Sequence, residues 1–220
     1  MRIVIAGGHG QIALRLERLL TARGDTAVGI VRNPDHAADL RAAGAEPAVL
    51  DLERSSVADV AAALAGADAV VFAAGAGAGS GAARKDTVDR AAATLVADAA
   101  TLAGVRRHVQ VSAMGLDRAD APGMDPVFAA YLRAKAAAED DLRGRDLDWT
   151  IVRPGRLTDD PGTGRVRLAP PPVPGGAVAR DDVAAVLVAL LDEPASRGLT
   201  LDLVGGETPF ADAVRAAVTA

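Results

Sequence analysis

The stretch Met1-Arg-Ile-Val-Ile-Ala-Gly7-Gly8-His9-Gly10-Gln11-Ile12-Ala13 decides the fold of this chain. An apolar run breaks into glycines, and apolar residues at helical spacing follow at once. This order is typical of a buried strand, a tight turn and the first turn of a helix. The free backbone N–H groups and the dipole at such a helix start favour a bound anion. A nucleotide cofactor is therefore the first hypothesis that the sequence supports.

Strand and helix patterns alternate along the chain. The apolar pattern predicts strands at residues 3–6, 26–31, 47–50, 69–73, 105–112, 149–152 and 199–204. It predicts helices, the sixth with Asp181 as its N-cap, at residues 11–23, 34–43, 56–64, 87–103, 127–143, 181–191 and 210–218. Strands with little polar alternation, each followed by a helix, indicate a parallel sheet covered on both faces. The predicted fold class is α/β, a doubly wound, Rossmann-like parallel sheet in a single domain of residues 1–220.

The later third of the chain is less regular, because glycine and proline crowd its middle. We expect a small C-terminal lobe on the substrate side, formed mainly by residues 153–180 and 194–220 and packed on the sheet. Two arginines in this region either hold an anionic group of the substrate or pair with the neighbouring aspartates. They are Arg153 and Arg156.

Composition and charge narrow the classes of partner and site. The 220 residues include no cysteine, which excludes disulfides, thiolate metal ligands and thiol nucleophiles. The three histidines show no metal-ligand spacing, so no metal is expected. The net charge of −5 gives no field that favours nucleic acid or an anionic membrane. No stretch resembles a signal peptide or a membrane span, so we expect a cytoplasmic protein. The expected partner is a small-molecule substrate. The oligomeric state stays open.

The glycine turn has the spacing of a dinucleotide site, G-x-x-G-x-x-A. Gly7 would allow the tight turn, Gly10 the close approach of a pyrophosphate, and Ala13 the close packing of helix on strand. A glycine turn that binds nothing is the alternative. Its position at the first strand–helix junction favours a cofactor site. The candidate residues there are Gly7, Gly8, His9, Gly10, Gln11 and Ile12.

The end of the second predicted strand favours NADP(H) over NAD(H). NAD sites usually place an acidic residue there, which accepts a hydrogen bond from the ribose 2′-hydroxyl. This chain has Arg32 instead, and its guanidinium can bond a 2′-phosphate in bidentate fashion. A solvated surface charge is the alternative interpretation of Arg32.

Residues after later strands complete the predicted cofactor site. Asp51 and Leu52 follow the third strand, where a side chain can reach the adenine edge, and Asp51 is also a candidate cap for the next helix. Pro154, after the sixth strand, is assigned to the same site. Small residues after the fourth strand would line the cofactor, namely Ala73, Ala74 and Gly75.

Several blocks of the sequence match one family, at residues 7–10, 31–34, 70–75, 111–115, 131–135, 151–158 and 181–184. On these blocks the chain resembles the atypical short-chain dehydrogenase/reductases. It is most similar to the small NAD(P)-binding proteins related to NmrA-like and biliverdin/flavin-reductase-like members. The resemblance spans nearly the whole chain, and it implies the fold and the cofactor more closely than the substrate.

The resemblance also implies a catalytic trio of Ser112, Tyr131 and Lys135 beside the nicotinamide. Tyr131 and Lys135 are four residues apart, on one face of a helix. The Lys135 ammonium is expected to lower the pKa of the Tyr131 phenol and to hold the nicotinamide ribose. Ser112 would donate a hydrogen bond to the substrate carbonyl. A chance pairing is the alternative, and residues 88–93 lack the Asn that active relatives often carry.

Three functions remain open on the sequence. The first is an NADPH-dependent reductase, or an epimerase-like enzyme, in which a small carbonyl-type substrate receives hydride and Tyr131 supplies the proton. The second is a non-catalytic NADP(H) sensor that presents a surface to a partner. The third is a flavin- or biliverdin-type reductase without a tyrosine acid, which the 2% content of aromatic residues disfavours.

Overall fold

A mostly parallel sheet forms the centre of the protein, in a computed structural model that describes residues 1–77 and 79–219. The strands are β1 (Arg2–Ala6), β2 (Thr26–Val31), β3 (Glu46–Val49), β4 (Ala69–Phe72), β5 (Arg107–Val111), β6 (Asp148–Pro154), β7 (Arg156–Thr158), β8 (Arg165–Ala169), β9 (Ala177–Ala179), β10 (Leu199–Gly205) and β11 (Thr208–Pro209). The helices are α1 (Gln11–Ala22), α2 (Ala37–Ala42), α3 (Val57–Leu64), α4 (Ala82–Arg84), α5 (Ala92–Ala103), α6 (Pro126–Arg143), α7 (Arg180–Leu191) and α8 (Phe210–Ala217). Residues 78 and 220, which the predicted domain includes, lie outside the described residues.

The strand order shows where a ligand should bind. Across the main sheet the order is β11-β8-β10-β6-β5-β4-β1-β2-β3. In this order, β10 and all the strands that follow it, as far as β3, run parallel. β8 runs antiparallel to β10, and β11 antiparallel to β8. The order reverses between β1 and β4, and sheets of this type bind ligands outside the carboxyl ends of the strands at that switch point. The predicted doubly wound, Rossmann-like α/β fold is confirmed.

Both faces of the sheet are buried, which explains why the strands show little polar alternation. Ile3 and Ile5 pack with the apolar residues of α1 and α7, whereas Val4 and Ala6 pack with those of α3 and α5. All four side chains are fully buried, and each buried Ile or Val stabilises the fold by about 1.5–3 kcal/mol. This packing anchors β1, from which the glycine turn leaves. Within residues 1–77 and 79–219, no helix combines the length and apolarity that a membrane crossing requires.

The start of α7 differs from the prediction. The helix begins at Arg180 with Ala179 as its N-cap, so the prediction that Asp181 caps it is wrong. Asp181 lies in the first turn, where its carboxylate accepts from Arg15 Nε at 2.6 Å and from the Gly162 N–H at 3.2 Å. The carboxylate therefore bonds residues of two other segments and does not cap its own helix.

The glycine- and proline-rich segment contains strands that the sequence did not predict. β7 and β9 pair in parallel as a small second sheet, and β8 joins the main sheet beside β10. β7 and β9 are three residues long, which is too short for a period-2 pattern, and β8 alternates exposed and buried residues over only five positions without the continuous apolar run of β1 or β4. The helix predicted at 87–103 also begins earlier, because α4 and a π-helical segment, Lys85–Ala91, precede α5. Together α4 and the π-helical segment form the 82–91 helix.

Candidate functional site

A cavity of about 850 Å³ lies at the switch point of the sheet. The glycine turn, the residues that follow β2, β3 and β4, the 82–91 helix and α6 form its walls. The predicted site residues that line it are Gly7, His9, Gly10, Gln11, Ile12, Arg32, Asp51, Leu52, Ala73, Ala74, Gly75, Ser112, Tyr131 and Lys135. Gly8 and Pro154 lie outside its lining. From the ranges predicted to form the substrate side, the described residues that line it are Leu157 and Arg180.

The glycine turn has the geometry that a phosphate group requires. Gly7 adopts a φ of 84°, in the left-handed region that favours glycine, and a Cβ there would lie 2.6 Å from the Ala74 Cα. Gly10 precedes α1 and donates its N–H to the Gly7 carbonyl at 2.8 Å. The first turn of α1, all of it within the described residues, has no acidic side chain to compete for the free N–H groups. The turn therefore fits the pyrophosphate of a dinucleotide.

Gly8 packs against β2 instead of facing the cavity. A Cβ on Gly8 would lie 2.6 Å from the Gly29 Cα, and its N–H donates to the Ile30 carbonyl at 2.9 Å. The second glycine of the turn is needed because two backbones approach closely there. Its assignment as a cofactor contact stays a prediction.

Arg32 has partners at the cavity that the sequence did not indicate. Its Nη1 donates to Glu53 Oε2 at 2.9 Å, and the same oxygen accepts from Arg84 Nη2 at 2.8 Å. Thr87 Oγ1 donates to Glu53 Oε1 at 2.7 Å. The Thr87 hydroxyl, and after it the Arg84 guanidinium, lower the pKa of Glu53 against the opposing effect of burial. Arg32, Glu53 and Arg84 form an arginine–glutamate cluster, and the assignment of Arg32 to a 2′-phosphate stays a prediction.

Asp51 turns the chain after β3 and does not cap the following helix. Asp51 Oδ1 accepts from the Glu53 N–H at 3.1 Å, a local turn that presents Glu53 to the cavity. α3 is capped by Ser56, whose side chain accepts from the Asp59 N–H while Asp59 bonds back. The cap interpretation of Asp51 is therefore wrong, and its side chain remains at the cavity.

The other end of the cavity contains a buried ion pair. The Lys135 ammonium lies 3.3 Å from Asp89 Oδ1 and donates to the Val111 carbonyl at 3.2 Å. Asp89 Oδ2 accepts from the Ala76 N–H at 3.2 Å. Burial lowers the pKa of Lys135, and the Asp89 carboxylate opposes this effect. Asp89, which the sequence reading did not select, thus holds Lys135 to the 82–91 helix.

Two ammonium groups lie close to the Tyr131 ring. Lys85 Nζ is 5.4 Å and Lys135 Nζ 5.9 Å from its centroid, and the Phe128 ring stacks on it at 5.8 Å. Burial and, secondly, the Asp89 carboxylate raise the pKa of Tyr131 to about 12. The expectation that Lys135 lowers this pKa is wrong, because Asp89 neutralises Lys135 and burial disfavours the phenolate. The phenol therefore keeps its proton at neutral pH.

Ser112 is bonded to a buried carboxylate. Its hydroxyl donates to Glu139 Oε1 at 2.5 Å, and a serine has a single hydrogen to donate. Arg153 donates to both oxygens of Glu139, at 2.9 and 2.6 Å. Arg153 thus pairs with Glu139 and not with the neighbouring aspartates, of which Asp159 binds Arg180 at 2.9 Å. In this arrangement Ser112 can accept a hydrogen bond from a ligand but has no hydrogen left to donate.

Comparison with known proteins agrees with a dinucleotide-binding role for this cavity. A family model described as NAD(P)H-binding matches residues 7–194. The chain is 37% identical over 216 residues to the Bacillus subtilis (strain 168) protein named "Uncharacterized sugar epimerase YhfK", across 98% of this chain and 99% of that protein. The stretch matched by the family model covers the glycine turn, the arginine–glutamate cluster and the Tyr131–Lys135 pair of this chain.

Two solved structures show the same architecture. A Bacillus halodurans protein, provisionally named an NAD-dependent epimerase/dehydratase, has a TM-score of 0.90 at 34% identity, over 98% of this chain and 99% of its own. ChuY from Escherichia coli O157:H7, named an anaerobillin reductase, has a TM-score of 0.76 at 27% identity, over 94% of this chain and 98% of its own. These matches confirm the resemblance drawn from the sequence, and the chain belongs to the NAD(P)H-binding family.

Proposed function

We propose that the protein is an NADP(H)-dependent oxidoreductase that reduces a small carbonyl-type substrate. The position of Tyr131 carries this proposal, because Tyr131 lines the same cavity as the glycine turn and its ring centroid lies 5.4 and 5.9 Å from the ammonium groups of Lys85 and Lys135. The family match supports NAD(P)H binding. The reductase name of one structural neighbour supports the type of reaction.

The residues at the switch point would hold the cofactor along the cavity. The N-terminus of α1 would bind the pyrophosphate, Arg32 the 2′-phosphate, and Asp51 with Leu52 the adenine edge. Lys135 would hold the nicotinamide ribose. When bound, the nicotinamide supplies the hydride for the carbonyl carbon.

Tyr131 is suited to donate a proton. Burial raises its pKa to about 12, so the phenol carries its proton at neutral pH and is still a stronger acid than the alcohol that the reduction forms. As the substrate carbonyl oxygen gains negative charge, Tyr131 donates its proton to that oxygen, and the product is an alcohol.

The substitution Tyr131→Phe tests the proposal, since it keeps the ring and its packing on Phe128 but removes the hydroxyl. We expect turnover with NADPH to fall by about 100- to 10,000-fold, while the Kd of NADPH changes by less than about twofold. Turnover is measured as substrate-dependent NADPH oxidation on panels of carbonyl compounds, quinones and flavins. Equal turnover in the variant and the wild type would remove Tyr131 from the mechanism.

A non-catalytic NADP(H) sensor is a second candidate function, which the state of Ser112 favours. With its hydrogen donated to Glu139, Ser112 has none to polarise a substrate carbonyl. As a sensor, the wild type would bind NADP⁺ or NADPH and oxidise NADPH with none of the panel compounds. Substrate-dependent oxidation well above the background rate would exclude the sensor.

A further inference from the structure

The arginine–glutamate cluster brings three distant parts of the chain to one end of the cavity. Arg32 comes from the residues after β2, Glu53 from those after β3, and Arg84 from the end of α4. Both guanidinium groups donate to one oxygen, Glu53 Oε2, at 2.9 and 2.8 Å. Thr87, one turn along the 82–91 helix, holds the other carboxylate oxygen at 2.7 Å.

Glu53 Oε2 accepts hydrogen bonds from two guanidinium groups, and a bound phosphate oxygen can accept hydrogen bonds from the same kind of donors. Each guanidinium has five N–H donors, and charge-assisted bonds to phosphate are of the same kind as those to carboxylate. Arg32 and Arg84 are 55% and 41% exposed, so donors on both remain accessible from the cavity. The Glu53 carboxylate therefore marks a position where an anion can bridge the two arginines.

We propose that Arg84 is the second arginine of a clamp that, together with Arg32, binds the 2′-phosphate of NADP(H). Glu53 holds the two guanidinium groups together when no phosphate is bound. The inference rests on the proposed function, since it assigns a specificity-determining residue to the same cofactor. It differs from the sequence argument, in which Arg32 alone discriminates between NADP(H) and NAD(H).

The substitution Arg84→Gln tests the clamp, with Arg90→Gln as a matched control. Arg90 is 42% exposed and lies on the same helix, where its partner is Asp86 and not a residue of the cavity. Loss of one charge-assisted contact to phosphate should raise the Kd of NADPH by about tenfold or more. The Kd of NADH should change by less than about twofold, and Arg90→Gln should leave both affinities unchanged. Calorimetric titration measures each affinity, and thermal unfolding checks that each variant is folded.

Two adenosine probes separate the 2′-phosphate from the phosphate at the 5′ position. Arg84→Gln should raise the Kd of adenosine 2′,5′-bisphosphate by about the same factor as that of NADPH. It should leave the Kd of adenosine 5′-monophosphate unchanged. Equal NADPH affinity in Arg84→Gln and the wild type would overturn the clamp, as would an equal loss for NADPH and NADH. If the wild type binds NADPH with this dependence but shows no turnover, the clamp stands and the reductase proposal fails. If the wild type binds neither cofactor, both proposals fail.

Discussion

Glu17 is buried in the middle of α1, directly behind the glycine turn. Its carboxyl oxygens have no hydrogen-bond partner among the described residues. A Cβ on Gly29 would lie 2.5 Å from Glu17 Oε1, so a glycine on β2 makes the room that the carboxyl occupies. Burial raises the pKa of Glu17 to about 8, because the ionised form is poorly solvated there.

Glu17 should make the protein less stable as pH rises. Its pKa is 4.5 in the unfolded chain and about 8 in the folded one, so between these values only the unfolded chain loses the proton. Ionisation therefore favours unfolding across this window and adds no further cost above it. Glu17→Gln cannot ionise, and from about pH 5 to about pH 8 it should gain on the order of 2–4 kcal/mol in unfolding free energy relative to the wild type. Urea unfolding at both pH values measures the change.

The control for Glu17→Gln is Glu46→Gln, at the start of β3. Glu46 is 62% exposed and pairs with Arg2 at 3.1 Å, so its removal should leave the pH dependence of stability as in the wild type. If Glu17→Gln and the wild type lose stability in parallel as pH rises, the carboxyl is not the group responsible.

The site residues that the sequence predicted are those whose roles follow from short spacings. Gly7 and Gly10 belong to one turn, and Tyr131 and Lys135 to one helix face. Arg84 was missed because its partner Glu53 lies 31 residues away, and only the tertiary fold brings the two together. Asp89 carried a weak signal, because it stands at helical spacing with Ala92, Ala93 and Val96, all buried residues of the same helical stretch.

At the scale of elements, the β1–α1 junction depends on one close backbone approach. Gly7 and Gly24 both have positive φ, 84° and 91°. A Cβ on Gly7 would lie 2.6 Å from the Ala74 Cα, whereas a Cβ on Gly24 would meet nothing within 4 Å. The two glycines therefore share a backbone conformation and differ in their surroundings.

Gly7→Ala and Gly24→Ala should separate conformational strain from the clash. Gly24→Ala should lower the unfolding free energy by about 1 kcal/mol, the cost of a left-handed alanine. Gly7→Ala should lower the unfolding free energy by about 2–4 kcal/mol, since the clash with Ala74 is added. It should also raise the Kd of NADPH by about tenfold or more. Urea unfolding and calorimetry measure both effects. Equal losses in the two variants would mean that the approach of Gly7 to Ala74 has no special importance.

Elements were predictable where a continuous apolar run or a helical period fits a single regular structure. β1 and β4 are continuous buried runs, and the buried positions of α6 repeat at helical spacing. The strands between residues 156 and 179 were not, since their partners come from β10 and from each other. The cap of α7 was also missed, because Asp181 bonds residues of two other segments in preference to its own helix.

At the scale of the whole molecule, the 82–91 helix connects the two ends of the cavity. Arg84 belongs to the arginine–glutamate cluster, Lys85 lies against the Tyr131 ring, and Asp89 holds Lys135. Most of this helix is π-helical. The π-helix is rare in proteins, and where it occurs it often lies at a functional site. We therefore expect that a contact made at the proposed adenosine end affects, through this short helix, the residues proposed for proton transfer.

This connection predicts that a ligand confined to the adenosine end orders the whole 82–91 helix. Adenosine 2′,5′-bisphosphate, bound by Arg32 and Arg84, should slow amide hydrogen exchange across residues 82–91 by about tenfold or more, because opening the helix would break the phosphate contact. Adenosine 5′-monophosphate should protect the glycine turn without this effect, and Arg84→Gln should abolish it. Exchange in β8 and β10, at the far side of the sheet, should not change. Protection that stops at Arg84 and leaves Asp89 as in the free protein would show that the two ends of the cavity act independently.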